Sequence, residues 1–388
     1  MEKYSVKDLV NNYTSESSME DMIHICKRYN NAKRDYLFVN KYQGKHIPVS
    51  PNKVYDAVSE LYDKVYAEVK SKKKILFIGF AETATAIGEL IFYFATHSDK
   101  KLDAVTYVHT TREEMGLDEL IEFSEEHSHA TEQRLFIKNK ELDFDTVVFV
   151  EDEISTGNTI LNAIKKFEQK KHISNYYVAS FANWQSKEDK GIFERFSKEN
   201  NLNVTFIALH TGELKDRYAK LDLVETNIHE KPNNNSDFTE LEYVGYHDPR
   251  GGITESELRE NYKLCDRIAD DILTHIDKDD KLEIIGTEEF MAFPLRIAKN
   301  LEDNDLICKY HATTRSPIQA SEDSIIKDWT KLPSAYDKDR VTYIYNMRER
   351  NYDKLIVITD GDKTEDSFKD AIKEFGKSVI LVRCHTKG

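Results

Sequence analysis

Along this chain, short unbroken apolar runs alternate with stretches in which apolar residues return every three or four positions. Ser50-Pro51 supplies an N-cap and a proline for the first helical position, so a helix is expected from there to about Lys70. The run Ile75 to Ile78 reads as a buried strand and Gly79 as a turn, with Ile87, Leu90, Ile91 and Phe94 forming one face of the next helix. "LDAVTYVHTTR" predicts another strand, a polar stretch rich in Glu and His fills residues 113–135, and "FDTVVFV" predicts a further buried strand. Ile160, Leu161, Ile164 and Phe167 mark a second helix face, and "NYYVASFANW" and "NVTFIALHTG" two more strands. Continuous apolar strands separated by amphipathic helices predict a parallel sheet covered on both faces, with ligands beyond the carboxyl ends of its strands. Ahead of this, "DYLFVNKYQGKHIPVSP" reads as a hairpin around Tyr42-Gln43-Gly44 that puts Lys45 and His46 on its returning strand.

At residues 229–240, "HEKPNNNSDFTE", apolar content collapses and Pro, Asn and Ser cluster. We therefore expect a first domain at 1–230, a linker at 231–242 and a second domain at 243–388. Beyond the boundary the chain repeats itself. "KILFIGFAETATAIGELI" has a counterpart in "KLEIIGTEEFMAFPLRIA", which aligns Gly79 with Gly286 and Glu82 with Glu289. "TYVHTTRE" is echoed by "KYHATTRS", so Thr110-Thr111-Arg112 matches Thr313-Thr314-Arg315, and "TVVFVEDEISTGNTILNAIKKF" by "DKLIVITDGDKTEDSFKDAIKEF", so Asp152 matches Asp360. Three blocks in one order predict an α/β protein of two related, doubly wound parallel-sheet domains, the second shorter and diverged.

Composition narrows the function. Lys plus Arg total 55 against 70 Asp plus Glu, a formal net charge of -15, and such a balance argues against nucleic acid or an anionic membrane as partner. No run approaches a membrane span, and the start, "MEKYSVKDLV", has no basic region followed by an apolar stretch, so a cytoplasmic protein is expected. Cys26, Cys265, Cys308 and Cys384 are scattered without metal spacing and read as reduced thiols.

The chemistry concentrates in "FVEDEISTGNTI", residues 149–160. A loop leaving a parallel strand for a helix presents unpaired N–H groups and the positive end of the helix dipole. Gly157 lets it curl, and Ser155, Thr156 and Thr159 add hydroxyls, which makes a phosphate cradle. Glu151 and Asp152 would repel a bare phosphate but suit a ligand with hydroxyls beside its phosphate, such as a ribose 5-phosphate. "VVFVEDEISTGNT" resembles the phosphoribosyl-diphosphate (PRPP) signature of the type I phosphoribosyltransferases, and its Glu-Asp order is similar to the orotate phosphoribosyltransferase branch. "TTRSP" (Thr313 to Pro317) and "GTEEF" (Gly286 to Phe290) resemble the C-terminal TRSP domain fused to such enzymes in bacterial tellurite-resistance and stress-response gene clusters.

The resemblance implies transfer of ribose 5-phosphate from PRPP to a nucleobase-like nitrogen acceptor with release of pyrophosphate. The alternative is a non-catalytic protein of this fold that binds PRPP or a nucleotide. Glu151 and Asp152 would hold the ribose hydroxyls, Glu153-Ile154-Ser155-Thr156-Gly157-Asn158-Thr159 the 5-phosphate, and Phe80-Ala81-Glu82-Thr83-Ala84 the pyrophosphate. Mg²⁺ is the implied cofactor, bound through substrate with no direct protein cage. Residues 113–135 match the family's mobile loop, where His127, His129 and Arg134 could reach the pyrophosphate, and Arg112 is a further anion contact. Lys45 and His46 would belong to a hood over the base, and His210 lies at the ligand edge by position alone. The second copy replaces Gly157 by Glu365 and Glu151 by Thr359, so loss of PRPP binding is expected there. Gly286, Glu288, Glu289, Thr313, Thr314, Arg315, Asp360 and Asp362 remain as a site for another ligand or as structure. The expected partners are PRPP and the acceptor, with a second copy of the chain as an option.

Overall fold

The computed structural model describes residues 2–19, 21–31, 34–117, 119–124, 132–138, 143–226, 237–347, 350–375 and 378–387. One helical turn, α1 (Val6–Leu9), leads into strands β1 (Val10–Ser15), β2 (Ile23–Arg28) and β3 (Tyr36–Asn40). Then come α2 (Pro51–Val69), β4 (Ile75–Gly79), α3 (Thr85–His97), β5 (Val105–His109), β6 (Glu119–Ser124), β7 (Glu132–Phe136), β8 (Thr146–Ile154), α4 (Asn158–Glu168), β9 (Asn175–Asn183), α5 (Lys187–Asn200) and β10 (Asn203–Leu214). The remainder runs β11 (Asp237–Tyr246), β12 (Ile253–Thr254), α6 (Glu255–Leu273), β13 (Lys281–Gly286), α7 (Ala292–Asp303), β14 (Ile307–Ala312), β15 (Ile318–Gln319), β16 (Trp329–Pro333) and β17 (Val341–Tyr345). It ends with β18 (Lys354–Asp360), α8 (Asp366–Lys373) and β19 (Ser378–Thr386).

Two sheets organise these elements. The first has the order β1-β10-β9-β8-β4-β5-β12, parallel except for its antiparallel edges β1 and β12. The second has the order β11-β19-β18-β13-β14 and is parallel throughout. The inner strands of both are apolar on each face because each face is covered, as the unbroken runs at Ile75 to Ile78 and Val147 to Val150 require. Their central orders correspond: β9-β8-β4-β5 in one, β19-β18-β13-β14 in the other.

Helices α2 and α3 cover one face of the first sheet, α6 and α7 one face of the second, and α7 packs against both α2 and α3. A single hydrophobic core therefore continues from sheet to sheet through these helices. Close approach matters at Gly88, where a Cβ would stand 2.8 Å from Tyr107 Cε2 and 3.0 Å from Gly79 Cα. Only glycine lets α3 lie that near β4.

The expected helix from Ser50 is Pro51–Val69, and the strands read from the apolar runs are all present. Three expectations differ. The hairpin is not turned at Tyr42-Gln43-Gly44; β3 pairs antiparallel with β2, and the chain after it crosses to the second half, where Val49 bridges Tyr310. Gly44, at φ +70°, sits against the Tyr310 ring, and two backbone hydrogen bonds between Val49 and Tyr310 (3.0 and 2.8 Å) draw the chain to the second half instead of back along β3. In the expected linker, residues 237–242 already belong to β11, paired with β19. Finally, the polar stretch at 113–135 contains the antiparallel pair β6 and β7.

Candidate functional site

Strand β8 carries the acidic pair inside the sheet rather than after it, since Glu151 still pairs with Ser180 and Glu153 with Ala182 of β9. The chain then turns through Ser155 and Thr156 into α4, whose N-cap is Gly157 at φ +86°. A Cβ at that position would lie 2.8 Å from both Gln185 Nε2 and a ring carbon of Phe193. The turn is braced from below, because Gln185 Nε2 donates to the Thr156 carbonyl (2.9 Å) and the Asn158 N–H to Thr156 Oγ1 (3.1 Å). Left-handed backbone and close contact together explain the glycine.

All of Glu151 to Thr159 line one cleft of ≈ 390 Å³, and so do Phe80, Ala81, Glu82, Thr83 and Arg112. Ala84 lies beneath as the buried N-cap of α3. Asp152 accepts from Thr83 Oγ1 (3.0 Å) and Gln43 Nε2 (3.2 Å), which ties the ends of β8 and β4 together. Burial, with Glu153 adding to it, pushes the Asp152 carboxyl above its usual value. Glu153 is taken up by Arg34, whose Nη2 lies 2.8 Å from its Oε1. It therefore contributes an ion pair to the cleft wall.

Glu82 is the junction of the two halves. Lys45 Nζ stands 2.6 Å from its carboxylate, Arg112 Nη1 3.7 Å, and the Arg315 N–H donates to it at 3.3 Å. Burial works to raise this carboxyl, but Lys45, Arg112 and Arg315 outweigh it and hold it at about 2. The second half returns the contact: Glu289 accepts from Thr111 Oγ1 (2.6 Å) and from the Arg112 N–H (3.0 Å). Each glutamate thus caps the Thr-Thr-Arg segment of the other half. Lys45, expected over a base, is wholly buried and donates to the carbonyls of Glu288 (2.6 Å) and Thr313 (2.8 Å).

Several cleft residues were not singled out from the sequence. Gln133 accepts from Thr110 Oγ1 and donates to the Ala81 carbonyl, each at 2.6 Å. Ser316, Arg340 and Val341 join Thr314 and Arg315, expected in a site of the second half, in bringing that half into the wall, and Arg28, Arg34, Leu37 and Phe38 close the other side with His46, the expected hood residue. His46 is 3 % exposed with neither ring nitrogen hydrogen-bonded. Burial and the neighbouring Lys45 push it down to about 3, so it is a neutral ring at the cleft.

The eight residues expected to form a second site do not come together as one. Arg315 and Glu288 pair with each other (2.6 Å), and Arg315 faces the first cleft with Thr314, while Glu289 turns to Thr111 and Arg112. Thr313 supports Glu288 from beneath, accepting its N–H at 3.0 Å, and the Gly286 carbonyl accepts from the Thr313 N–H. Asp360 is occupied by Arg250 Nη1 at 2.7 Å and by the Tyr336 hydroxyl at 2.5 Å. Asp362 projects into solvent with its side chain 95 % exposed. Two other expectations resolve simply: His210 is buried between Tyr13 and Met22, outside the cleft lining, and His127 and His129 lie outside the described residues. Among the described residues no group of three or more His, Cys, Asp or Glu is arranged to hold a metal, and no helix is long and apolar enough to cross a membrane.

Residues 22–213 match the phosphoribosyl transferase family model, and residues 248–375 match the TRSP domain found C-terminal to it. A search of curated proteins finds no match. Among solved structures, the chain is similar to adenine phosphoribosyl transferase from Trypanosoma brucei in complex with AMP, pyrophosphate and ribose-5-phosphate (13% identity, 49% of this chain, 76% of that one, TM-score 0.33). It is also similar to the Giardia lamblia adenine enzyme complexed with 9-deazaadenine (14%, 50%, 97%, 0.34) and to the hypoxanthine-guanine enzyme of L. donovani (11%, 43%, 84%, 0.27).

Proposed function

We propose that this chain, a phosphoribosyltransferase by its N-terminal domain and joined to a TRSP domain, transfers ribose 5-phosphate from PRPP to a nucleobase-like nitrogen acceptor and releases pyrophosphate. One observation carries the reading: a single cleft gathers the acidic pair, the Ser155–Thr159 turn at the start of α4 and the Phe80–Thr83 loop. At ≈ 390 Å³ it has the size of a small-ligand site.

In this reading the N–H groups of the turn and the hydroxyls of Ser155, Thr156 and Thr159 hold the 5-phosphate. Glu151 and Asp152 accept from the ribose hydroxyls and lie where positive charge develops on the sugar as the bond to pyrophosphate breaks. The Phe80–Thr83 loop and Arg112 stabilise charge growing on the leaving group. The acceptor would rest against Leu37 and Phe38, with the uncharged His46 ring free to donate or accept one hydrogen bond. Mg²⁺, held through substrate and water with no direct protein ligand, would neutralise diphosphate charge when bound with substrate. Assignment of the second half as a degenerate copy, the orotate-like branch suggested by the Glu-Asp order, and a cytoplasmic stress-response setting are parts of the same proposal. The copy is supported by the shared central strand order.

The test is magnesium-dependent PRPP binding by calorimetry on wild type, Asp152→Asn and Gly157→Glu. Wild type should bind and both variants should lose at least about a hundredfold in affinity, close to 3 kcal/mol, with melting curves checking that they fold. Wild type that fails to bind PRPP would end the proposal. Binding without pyrophosphate release across a panel of nitrogenous acceptors would leave the non-catalytic alternative.

A further inference from the structure

Arg315 and Arg340 both belong to the second half, and both line the cleft of the first. Glu288 and Glu113 make the closest carboxylate contacts to them. Glu288, from the same half, takes Arg315 Nε at 2.6 Å and Arg340 Nη1 at 3.1 Å, and it also accepts from Ser334 Oγ. It is 1 % exposed and locked in place. Glu113, from the first half, meets Arg340 through both oxygens, with Nη1 at 2.7 Å and Nη2 at 3.1 Å, and bonds Arg315 Nη2 through one of them. Its side chain is 31 % exposed, so water reaches it where it does not reach Glu288. If Glu113 leaves, Arg315 and Arg340 keep Glu288 as their one close carboxylate, with Glu82 4.0 Å from Arg315 and Asp337 3.8 Å from Arg340.

We propose that Arg315 and Arg340 form an anion subsite which the second half contributes to the first cleft, that Glu113 occupies it in the absence of ligand, and that a diphosphate takes the place of Glu113. The geometry selects the ligand class. Paired arginine forks bind carboxylate and phosphate oxygens in the same bidentate manner. An anion that displaces a carboxylate already held by two arginines must carry more charge and more acceptor oxygens than a carboxylate does, and a diphosphate meets both conditions. The position agrees, because the Arg315 N–H is bonded to Glu82 of the Phe80–Thr83 loop, which fixes the pair beside that loop. The second half thereby acquires a part in the chemistry of the first.

This inference rests on the proposed phosphoribosyl transfer, and the experiment separates the two by using halves of the ligand. The full-length chain is titrated with inorganic pyrophosphate and, separately, with ribose 5-phosphate. Glu113→Gln should tighten pyrophosphate binding by about tenfold and leave ribose 5-phosphate unchanged. Arg340→Met should weaken pyrophosphate by a similar factor, again with ribose 5-phosphate unchanged. If Glu113 only braces the two halves, Glu113→Gln will leave pyrophosphate binding unchanged or weaker, and that result overturns the inference. Wild type that binds ribose 5-phosphate but not pyrophosphate overturns it alone, whereas binding of neither removes the phosphoribosyl reading as well.

Discussion

Two strand-to-helix turns occupy corresponding places in the two sheets, and they have opposite fates. After β8 the turn carries Gly157 at φ +86° and opens on a cleft of ≈ 390 Å³. After β18 the helix is capped by Glu365 at φ -62°, and Asp360 is bonded to Arg250 and Tyr336. Arg250 and Glu289 also line a separate cavity of ≈ 10 Å³ against Thr85, Glu89 and His109 of the first half, enough for about one water. At the corresponding strand ends Asp152 accepts from the neutral Thr83 and Gln43, whereas Asp360 meets the Arg250 guanidinium. Arg250 reaches Asp248 and Glu289 as well, so one guanidinium draws three carboxylates of the second half together.

The comparison breaks most readily at Arg250. Its guanidinium, with a side chain 12 % exposed, pairs with Asp248, Asp360 and Glu289 at once. Arg250→Ala leaves buried carboxylates unpaired and should destabilise the fold by about 3–5 kcal/mol, read from denaturant unfolding. A cost below about 1 kcal/mol, the range of an exposed ion pair, would mean that the second turn is not held by this cation and that its site is open after all.

Glu82 gives the next largest effect and tests the joint between halves. Its carboxyl is held at about 2 against an ordinary 4.5, so folded protein binds the proton less readily than unfolded chain. The stabilisation is complete above pH 4.5 and disappears as pH falls towards 2. It amounts to something on the order of 3 kcal/mol. Wild type should lose stability steeply across that acid window, and Glu82→Gln should start lower at neutral pH and show a flatter slope. Parallel slopes for the two proteins would show that Glu82 is not ionised against Lys45, Arg112 and Arg315.

How much of this was legible follows from range along the chain. Strands β4, β5, β8, β9 and β10 and helices α2, α3 and α4 announce themselves by local patterning, as does the turn at Gly157. Helix α5 went unread although Ser186 and Asp189 form a capping box, because its apolar face is thin. Alignment paired Glu82 with Glu289, yet nothing local says that each would cap the opposite Thr-Thr-Arg segment. The same holds for Arg250, Arg340 and Gln133, which acquire roles only when distant elements meet. Lys45 was assigned to the wrong task for that reason: its partners Glu288 and Thr313 lie more than two hundred residues away.

The smallest expected effect is also the most discriminating for the copy itself. In the proposed copy Glu365 stands where the first half has Gly157, so the simplest account of a missing cradle there would be that one glycine was replaced. The structure argues otherwise. Glu365 has ordinary extended backbone with ψ 134° and makes no side-chain cap bond, and the left-handed residue of this turn is Gly361 at φ +91°, so a glycine at 365 is not what the turn needs. Thr359, in the place of Glu151, is fully buried, and Arg250 still sits on Asp360. Glu365→Gly should therefore change stability by only about 0.5 kcal/mol, as expected for glycine at an N-cap without a side-chain bond. It should leave PRPP binding by calorimetry at one ligand per chain. A stoichiometry rising to two would show that the glycine alone had separated the two halves, and that Arg250 moves aside whenever the turn is free to curl.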